Sequence, residues 1–217
     1  LSAVFTGCGA PKVYYYNFKD EQDLANEEGT WSFAEAGTYL FIEKGIRLDN
    51  NTLCCPLMFS GDLTVTWGFW LNCEDTPSNL SLEVALREGS RYANWLNICF
   101  PSIGHVYRDD VFSITDRKPN TDTNVPIVYS EPTLGFDYLG FNVLTLTRNG
   151  DHFSLIINDI LNAEFDLQYY ESRWFGPVIA WDLWEGIGYT GEEAIVVESI
   201  TVTYSGSAVP LIMYNNR

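Results

Sequence analysis

The sequence predicts an all-β protein, an antiparallel β-sandwich of the jelly-roll kind. Three observations predict it. First, residues 141–160 (FNVLTLTRNGDHFSLIINDI) read as two amphipathic strands about a tight turn. Val143, Thr145 and Thr147 alternate with Asn142, Leu144 and Leu146. Phe153, Leu155 and Ile157 share one face of the return strand, with Ser154 and Ile156 on the other. A period of two belongs to half-buried strands. Asn149-Gly150 supplies residues that tolerate positive φ, which predicts a type I′ turn at that pair. Second, about twelve strand-like segments are separated by turn signals, with few helix candidates. Third, residues 194–204 (AIVVESITVTY) are too long and too β-branched to prefer helix.

The elements follow in order. Residues 13–18 (VYYYNF) form an aromatic strand, and the acidic stretch 20–28 is one helical turn or a loop. Residues 31–33 and 39–42 read as strands around Gly37, and 45–49 as a short strand entering an Asn-rich turn. In 63–72 (LTVTWGFWLN), Leu63, Val65, Trp67 and Phe69 share one parity, which makes Trp67 a core residue. In 80–87, Leu82, Val84 and Leu86 oppose Glu83, Ala85 and Arg87. Residues 94–100 (NWLNICF) form another strand. Region 104–140 holds Pro119, Pro126 and Pro132 and is expected to be decorated loop with short strands at 111–114 and 127–129. After the hairpin come strands at 162–170 and 176–180, then the Trp- and Gly-rich segment WDLWEGIGYTGEE. With no linker or repeat, a single domain over 13–205 is expected, flanked by tails 1–12 and 206–217.

Composition narrows function. Lys and Arg number 12 against 29 Asp and Glu, a formal net charge of −17. Nucleic-acid binding needs clustered positive charge, and an anionic membrane surface is disfavoured for the same reason. The acidity serves solubility through mutual repulsion or supplies oxygen ligands to divalent cations. The five cysteines, Cys8, Cys54, Cys55, Cys73 and Cys99, have no zinc-knuckle spacing, and His105 and His152 join no Cys pattern. Vicinal Cys54 and Cys55 cannot bond each other without strain. Cys73 and Cys99 are the expected disulfide partners, since their segments read as neighbouring strands. No run of 18 apolar residues exists, so no membrane-spanning helix is expected. The start, LSAVFTGCGAP, has the small and apolar residues of a bacterial lipoprotein signal leading into Cys8, which would then carry lipid; the alternative is a mature terminus. Either places the protein outside the cytoplasm, in secretion or at the cell surface. The sequons Asn50-Asn51-Thr52 and Asn79-Leu80-Ser81 agree with that compartment.

This order of segments resembles the concanavalin A-like lectin and glucanase superfamily, and its laminin-G-like domains in particular. The resemblance lies in the aromatic first strand, the 33–48 phrase running through Gly37-Thr38-Tyr39-Leu40, the 63–71 strand, the 142–160 hairpin with Asn158-Asp159 at its end, and the closing 195–204 strand. It covers most of the chain and implies a concanavalin A-like jelly roll. The superfamily also holds glycoside hydrolases and polysaccharide lyases. Its laminarinase- and lichenase-like hydrolases carry Glu-x-Asp-x-x-Glu on one strand. Here Glu83-Val84-Ala85-Leu86-Arg87-Glu88 places Glu83 at the nucleophile and Glu88 at the acid/base, but Ala85 replaces the aspartate. Retaining chemistry needs two carboxyl groups about 5–5.5 Å apart, and straight strand parity puts Glu83 and Glu88 on opposite faces unless a bulge intervenes. The expectation is therefore no catalysis. A lyase would use a Tyr or His base beside a basic group, as in His105, Tyr107 and Arg108 or in His152 and Arg148, and basic residues are scarce.

Binding is better supplied with candidates. Trp174, Trp181, Trp184 and Tyr189 are the expected glycan-stacking residues, in and around a Gly-punctuated stretch. Asp49, Asp109, Asp110 and Asp182 stand in oxygen-rich segments that suit calcium, the one cofactor expected. The sequence thus points to a secreted or surface-anchored binding module whose partner is a glycan or a surface protein. The alternatives are a structural protein that forms homo-oligomers through its sandwich surface, and an unusual hydrolase or lyase.

Overall fold

The computed structural model describes residues 10–26, 29–33, 38–49, 51–72, 80–88, 95–101, 111–117, 124–167, 174–183 and 194–210. Over these the chain is almost entirely antiparallel strand. In chain order the strands are β1 (Lys12–Asn17), β2 (Ala25–Asn26), β3 (Gly29–Thr30), β4 (Ser32–Phe33), β5 (Thr38–Ile42), β6 (Gly45–Asp49), β7 (Asn51–Cys54), β8 (Leu57–Ser60), β9 (Leu63–Asn72) and β10 (Leu80–Glu88). The second half adds β11 (Trp95–Pro101), β12 (Val111–Arg117), β13 (Asn124–Pro132), β14 (Phe141–Asn149), β15 (His152–Ile157), β16 (Ile160–Asp166), β17 (Trp174–Leu183), β18 (Ala194–Tyr204) and β19 (Ala208–Pro210). Among the described residues a single 3₁₀ turn, Glu21–Leu24, interrupts them. Among the described residues no helix is long and apolar enough to cross a membrane.

Two sheets form the sandwich. The first has eight strands, ordered β16-β15-β14-β9-β18-β6-β5, with β1 also on β18. The second has nine, ordered β13-β12-β11-β10-β17-β7-β4, with β8 on β17 and β19 on β8. Their inner faces meet in one hydrophobic cluster. Val65, Trp67, Phe69, Leu144, Leu146 and Leu155 enter it from the first sheet, and Leu53, Leu96, Ile98, Ile114 and Ile179 from the second, all 0% exposed. Trp67 is thus core, as its alternation with Val65 and Phe69 predicts. Phe136, in the loop before β14, lies between the sheets. Its ring centroid is 6.3 Å from Phe69 and 5.0 Å from Phe100.

The hairpins correct one sequence expectation. Asn149 pairs with His152, so the β14–β15 turn is Gly150-Asp151 rather than Asn149-Gly150. Gly150 has φ 61°, and Asp151 is absent from the described non-glycine residues with positive φ, which is the pattern of a type II′ turn with Gly first. Moving the turn by one residue changes every cross-strand partner by two, so the same side chains stay inside. The hydrophobic pattern therefore does not choose between the registers, and the choice falls to the turn itself. Gly150 N–H donates to Asp62 Oδ1 at 2.8 Å. The type I′ geometry appears in the next turn, where Asn158 and Asp159 have φ 47° and 65°.

Three asparagines bind the 133–140 loop to this hairpin. Asn142, 0% exposed, accepts from Asp137 N at 2.8 Å and donates to Asp137 O at 2.6 Å. Asn158 Nδ2 donates to Gly135 O at 2.7 Å and to Asn142 Oδ1 at 3.0 Å. Asn162 closes the loop start, accepting from Leu134 N at 2.7 Å. On the other side of the first sheet, β18 is bulged between Val197 and Ser199. Before the bulge its free edge pairs with β6, and after it with β1. Glu198 at the bulge accepts Phe18 N–H on its carbonyl at 3.0 Å and Trp70 Nε1–H on its carboxylate at 2.9 Å.

Candidate functional site

Cross-strand partners share a face, so the register of the second sheet identifies which positions look outward. One row runs Ile114, Ile98, Val84, Ile179, Leu53. The four members with described side chains are 0% exposed, which makes this row core. The adjacent row, Thr115, Asn97, Ala85, Val178, Cys54, therefore lies on the outer face. So do the flanking positions Trp95 and Arg87 on one side and Glu83 and Asp182 on the other.

This face is uneven. Thr52, Cys54, Val178 and Ala180 are buried at 2–5% exposure, while Ser113, Thr115 and Asn97 on β11 and β12 are half-buried. Asn97 Oδ1 is buried and finds no hydrogen-bond donor among the described residues. A buried amide oxygen without a partner costs about 1–3 kcal/mol, which a donor would recover once the half-buried amide turned outward to meet it. Asn97 is not among the binding residues expected from the sequence. Its signal was in NWLNICF, where Trp95, Asn97 and Cys99 alternate with the core residues Leu96, Ile98 and Phe100.

The candidate carboxylates occupy positions of opposite parity on β10. β10 pairs without interruption with both β11 and β17, so no bulge separates positions 83 and 88. Glu83 has the outward parity, and Glu88, opposite Phe175, has the core parity. The aromatic candidates are also divided. Trp174, half-buried opposite Ser60, and Trp181, opposite Leu82 and Asn51, have opposite parity on β17; position 181 shares the parity of core residues Phe175 and Ile179. Trp184 and Tyr189 lie outside the described residues.

Of the calcium candidates, Asp49 is engaged elsewhere: its Oδ2 accepts from Arg47 Nη2 at 3.0 Å and from Thr38 Oγ1 at 3.3 Å. Asp182 is opposite Ser81 on β17, and Asp109 and Asp110 lie outside the described residues. Among the described residues no group of three or more His, Cys, Asp or Glu side chains could hold a metal ion. Cys54 and Cys55 are both buried; Cys99 is on β11 opposite Glu83, and Cys73 is outside the described residues. Of the lyase candidates, His105, Tyr107 and Arg108 also lie outside them. His152 stands on the other sheet, 2.9 Å from Asp166 and 3.6 Å from Glu164. The hydrogen bond to Asp166 raises its pKa above the usual histidine value, with Glu164 adding to the effect.

No known protein family matches the sequence, and no curated protein matches it. Solved structures do match in shape. A Bacillus subtilis protein of unknown function with a galectin-like fold superposes with TM-score 0.60 at 14% identity, over 93% of this chain and 98% of its own. The Crh5 transglycosylase gives 0.61 at 11%, over 89% and 85%. The carbohydrate binding module CBM66 from Bacillus subtilis gives 0.54 at 14%, over 82% and 94%. The chain has the concanavalin A-like jelly-roll fold. Within that concanavalin A-like frame the outer face of the nine-stranded sheet offers the amide of Asn97 beside the hydroxyls of Ser113 and Thr115. Such a floor can hydrogen-bond a polar ligand. Along β10 the positions of Glu83 and Glu88 have opposite parity.

Proposed function

We propose that the protein is a secreted or cell-surface module that binds carbohydrate without cleaving it, on the outer face of the nine-stranded sheet. The observation that carries this reading is Asn97, half-buried in the middle of that face, whose side-chain oxygen has no donor among the described residues. A sugar hydroxyl is a donor of the right size. In the pairing register the positions of Trp95, Arg87 and Glu83 are each two residues along the strands from Asn97 or its partner Ala85, and an indole beside polar residue types is a composition that suits a glycan. Two of the similar structures are a carbohydrate binding module and a transglycosylase, so the fold accommodates both binding and turnover. The opposite parity of Glu83 and Glu88 favours binding. On a glycan array the wild type should give hits that weaken in Asn97→Ala and Trp95→Ala, with no release of reducing ends from any hit. An array without hits, or hits unchanged in both variants, overturns the reading.

Self-assembly is a second reading. Leu134, Leu139, Ile160 and Leu161 are 43–55% exposed, and Leu134 is tied to Asn162 beside the last two. Light scattering on the wild type and on Leu161→Lys decides it: a specific oligomer that dissociates in the variant supports assembly, and a monomer rejects it.

A further inference from the structure

The outer face of the eight-stranded sheet carries a regular polar surface that the proposed glycan site does not use. Thr145, Thr66 and Thr201 form one cross-strand row, and Thr147, Thr64 and Thr203 the next. Their sequence neighbours Leu144, Leu146, Val65, Trp67, Ile200 and Val202 are all 0% exposed, so the threonines face out. The hydroxyls pair across strands, Thr66 with Thr145 at 3.2 Å and Thr64 with Thr147 at 3.3 Å. A hydroxyl pair shares one proton, which leaves one donor and several lone pairs for a ligand. The strands that carry these hydroxyls lie about 4.8 Å apart, and successive threonines on one strand about 6.7 Å apart.

The rows end in apolar and aromatic surface. Tyr15 stands opposite Thr201 and Val13 opposite Thr203, with 60% and 65% exposure. At the far side the rows run into Ile156 and Ser154. No carboxylate, Lys or Arg stands in either row between β1 and β15, in a chain of net charge −17. At one end the Thr64 row opens into a groove of about 290 Å³, lined by Pro11, Asp62, Thr147, Thr203 and Ser205 among others.

Charge selects the occupant. An anionic polymer would be repelled by the molecule as a whole and would find no cation in the rows. Protein interfaces draw most of their affinity from Trp, Tyr and Arg anchors, and Thr is under-represented among those anchors. A neutral polymer that is itself a ladder of hydroxyls matches threonine, since each partner both donates and accepts, and the exposed Tyr15 ring supplies a stacking surface. We infer that this face is a second docking platform for a neutral polysaccharide, with Tyr15 as its stacking ring and the two threonine rows as its floor. The inference rests on the reading of the protein as a glycan binder and adds a contact on the opposite side of the sandwich. One molecule would then hold two glycan chains.

Affinity electrophoresis of the whole protein through laminarin, galactomannan or dextran tests this, with polygalacturonate as the anionic control. Tyr15→Ala and the double variant Thr66→Val/Thr201→Val remove the ring and the hydroxyls while keeping the strands, because valine favours sheet and matches threonine in shape. Thermal melts equal to wild type certify their folding. The wild type should be retarded by a neutral gel alone, and each variant should bind about tenfold more weakly. Asn97→Ala should weaken binding independently, so that combining it with Tyr15→Ala abolishes retardation. Undiminished retardation of both platform variants, with loss in Asn97→Ala, overturns the platform and leaves the glycan reading standing. Absence of retardation in every gel overturns both. A dimer that disappears in Tyr15→Ala overturns the inference by assigning the face to a second copy of this chain.

Discussion

Asn142 is 0% exposed, and both ends of its amide are used. Its removal would leave the Asp137 N–H and C=O without their partner. Asn142→Leu should therefore lower unfolding free energy by about 2–3 kcal/mol, read as a lower urea midpoint at unchanged slope. His152 presents the opposite case, an exposed group tuned by its neighbours. Its pKa is raised by the hydrogen bond to Asp166 first and by Glu164 after it. A raised folded value means the proton is held more tightly in the folded state. The stabilisation is then complete below about pH 6.5 and is lost as pH rises through the folded value. Solvent makes the effect on global stability small, so the direct measurement is an NMR titration of the His152 ring. Its midpoint should lie above that of an unperturbed histidine and fall back in Asp166→Asn.

At the scale of elements, the two turns of the β14–β16 meander share a need for positive φ but meet it with different residues. A Cβ added at Gly150 would touch nothing within 4 Å, so the whole cost of Gly150→Ala is backbone strain. That cost should be about 1 kcal/mol, seen in thermal or urea melts, with Gly150→Asn losing less. Most strands were legible because one face is buried and the other wet, as in β9, β14 and β15. The exceptions have physical reasons. Positions 51–59 are buried without interruption, so β7 and β8 carry no alternation, and the asparagines at their start read as a turn. β12 and β13 run longer than the short strands expected. Pro126 and Pro132 argued against a strand there, yet β13 is the edge of its sheet, where a missing N–H is tolerated. The site was legible only in part. Alternation puts Asn97 outside, but the burial of Thr52, Cys54, Val178 and Ala180 on the same face depends on tertiary cover that strand periodicity does not encode.

For the whole molecule, the loop residue Phe136 touches both sheets, through Phe69 and Phe100. Phe136→Ala should destabilise by about 2–4 kcal/mol, as a drop in the urea midpoint. The Asn142, Asn158 and Asn162 bonds should still hold the loop backbone in place. The bulge at Glu198 has another consequence. It divides one edge of β18 between two strands that are far apart in sequence, β6 up to Val197 and β1 from Ser199 onward. The sheet thus has a seam. β1 can lift away while β6 stays paired, and the opening would stop at the bulge rather than run the length of the strand. Native-state hydrogen exchange should then report two levels of protection along one strand edge, with the amides in the β1–β18 pairing opening first. Tyr15 would leave with β1, so one local event would both bare a stretch of unpaired backbone and take away the aromatic flank of the threonine surface.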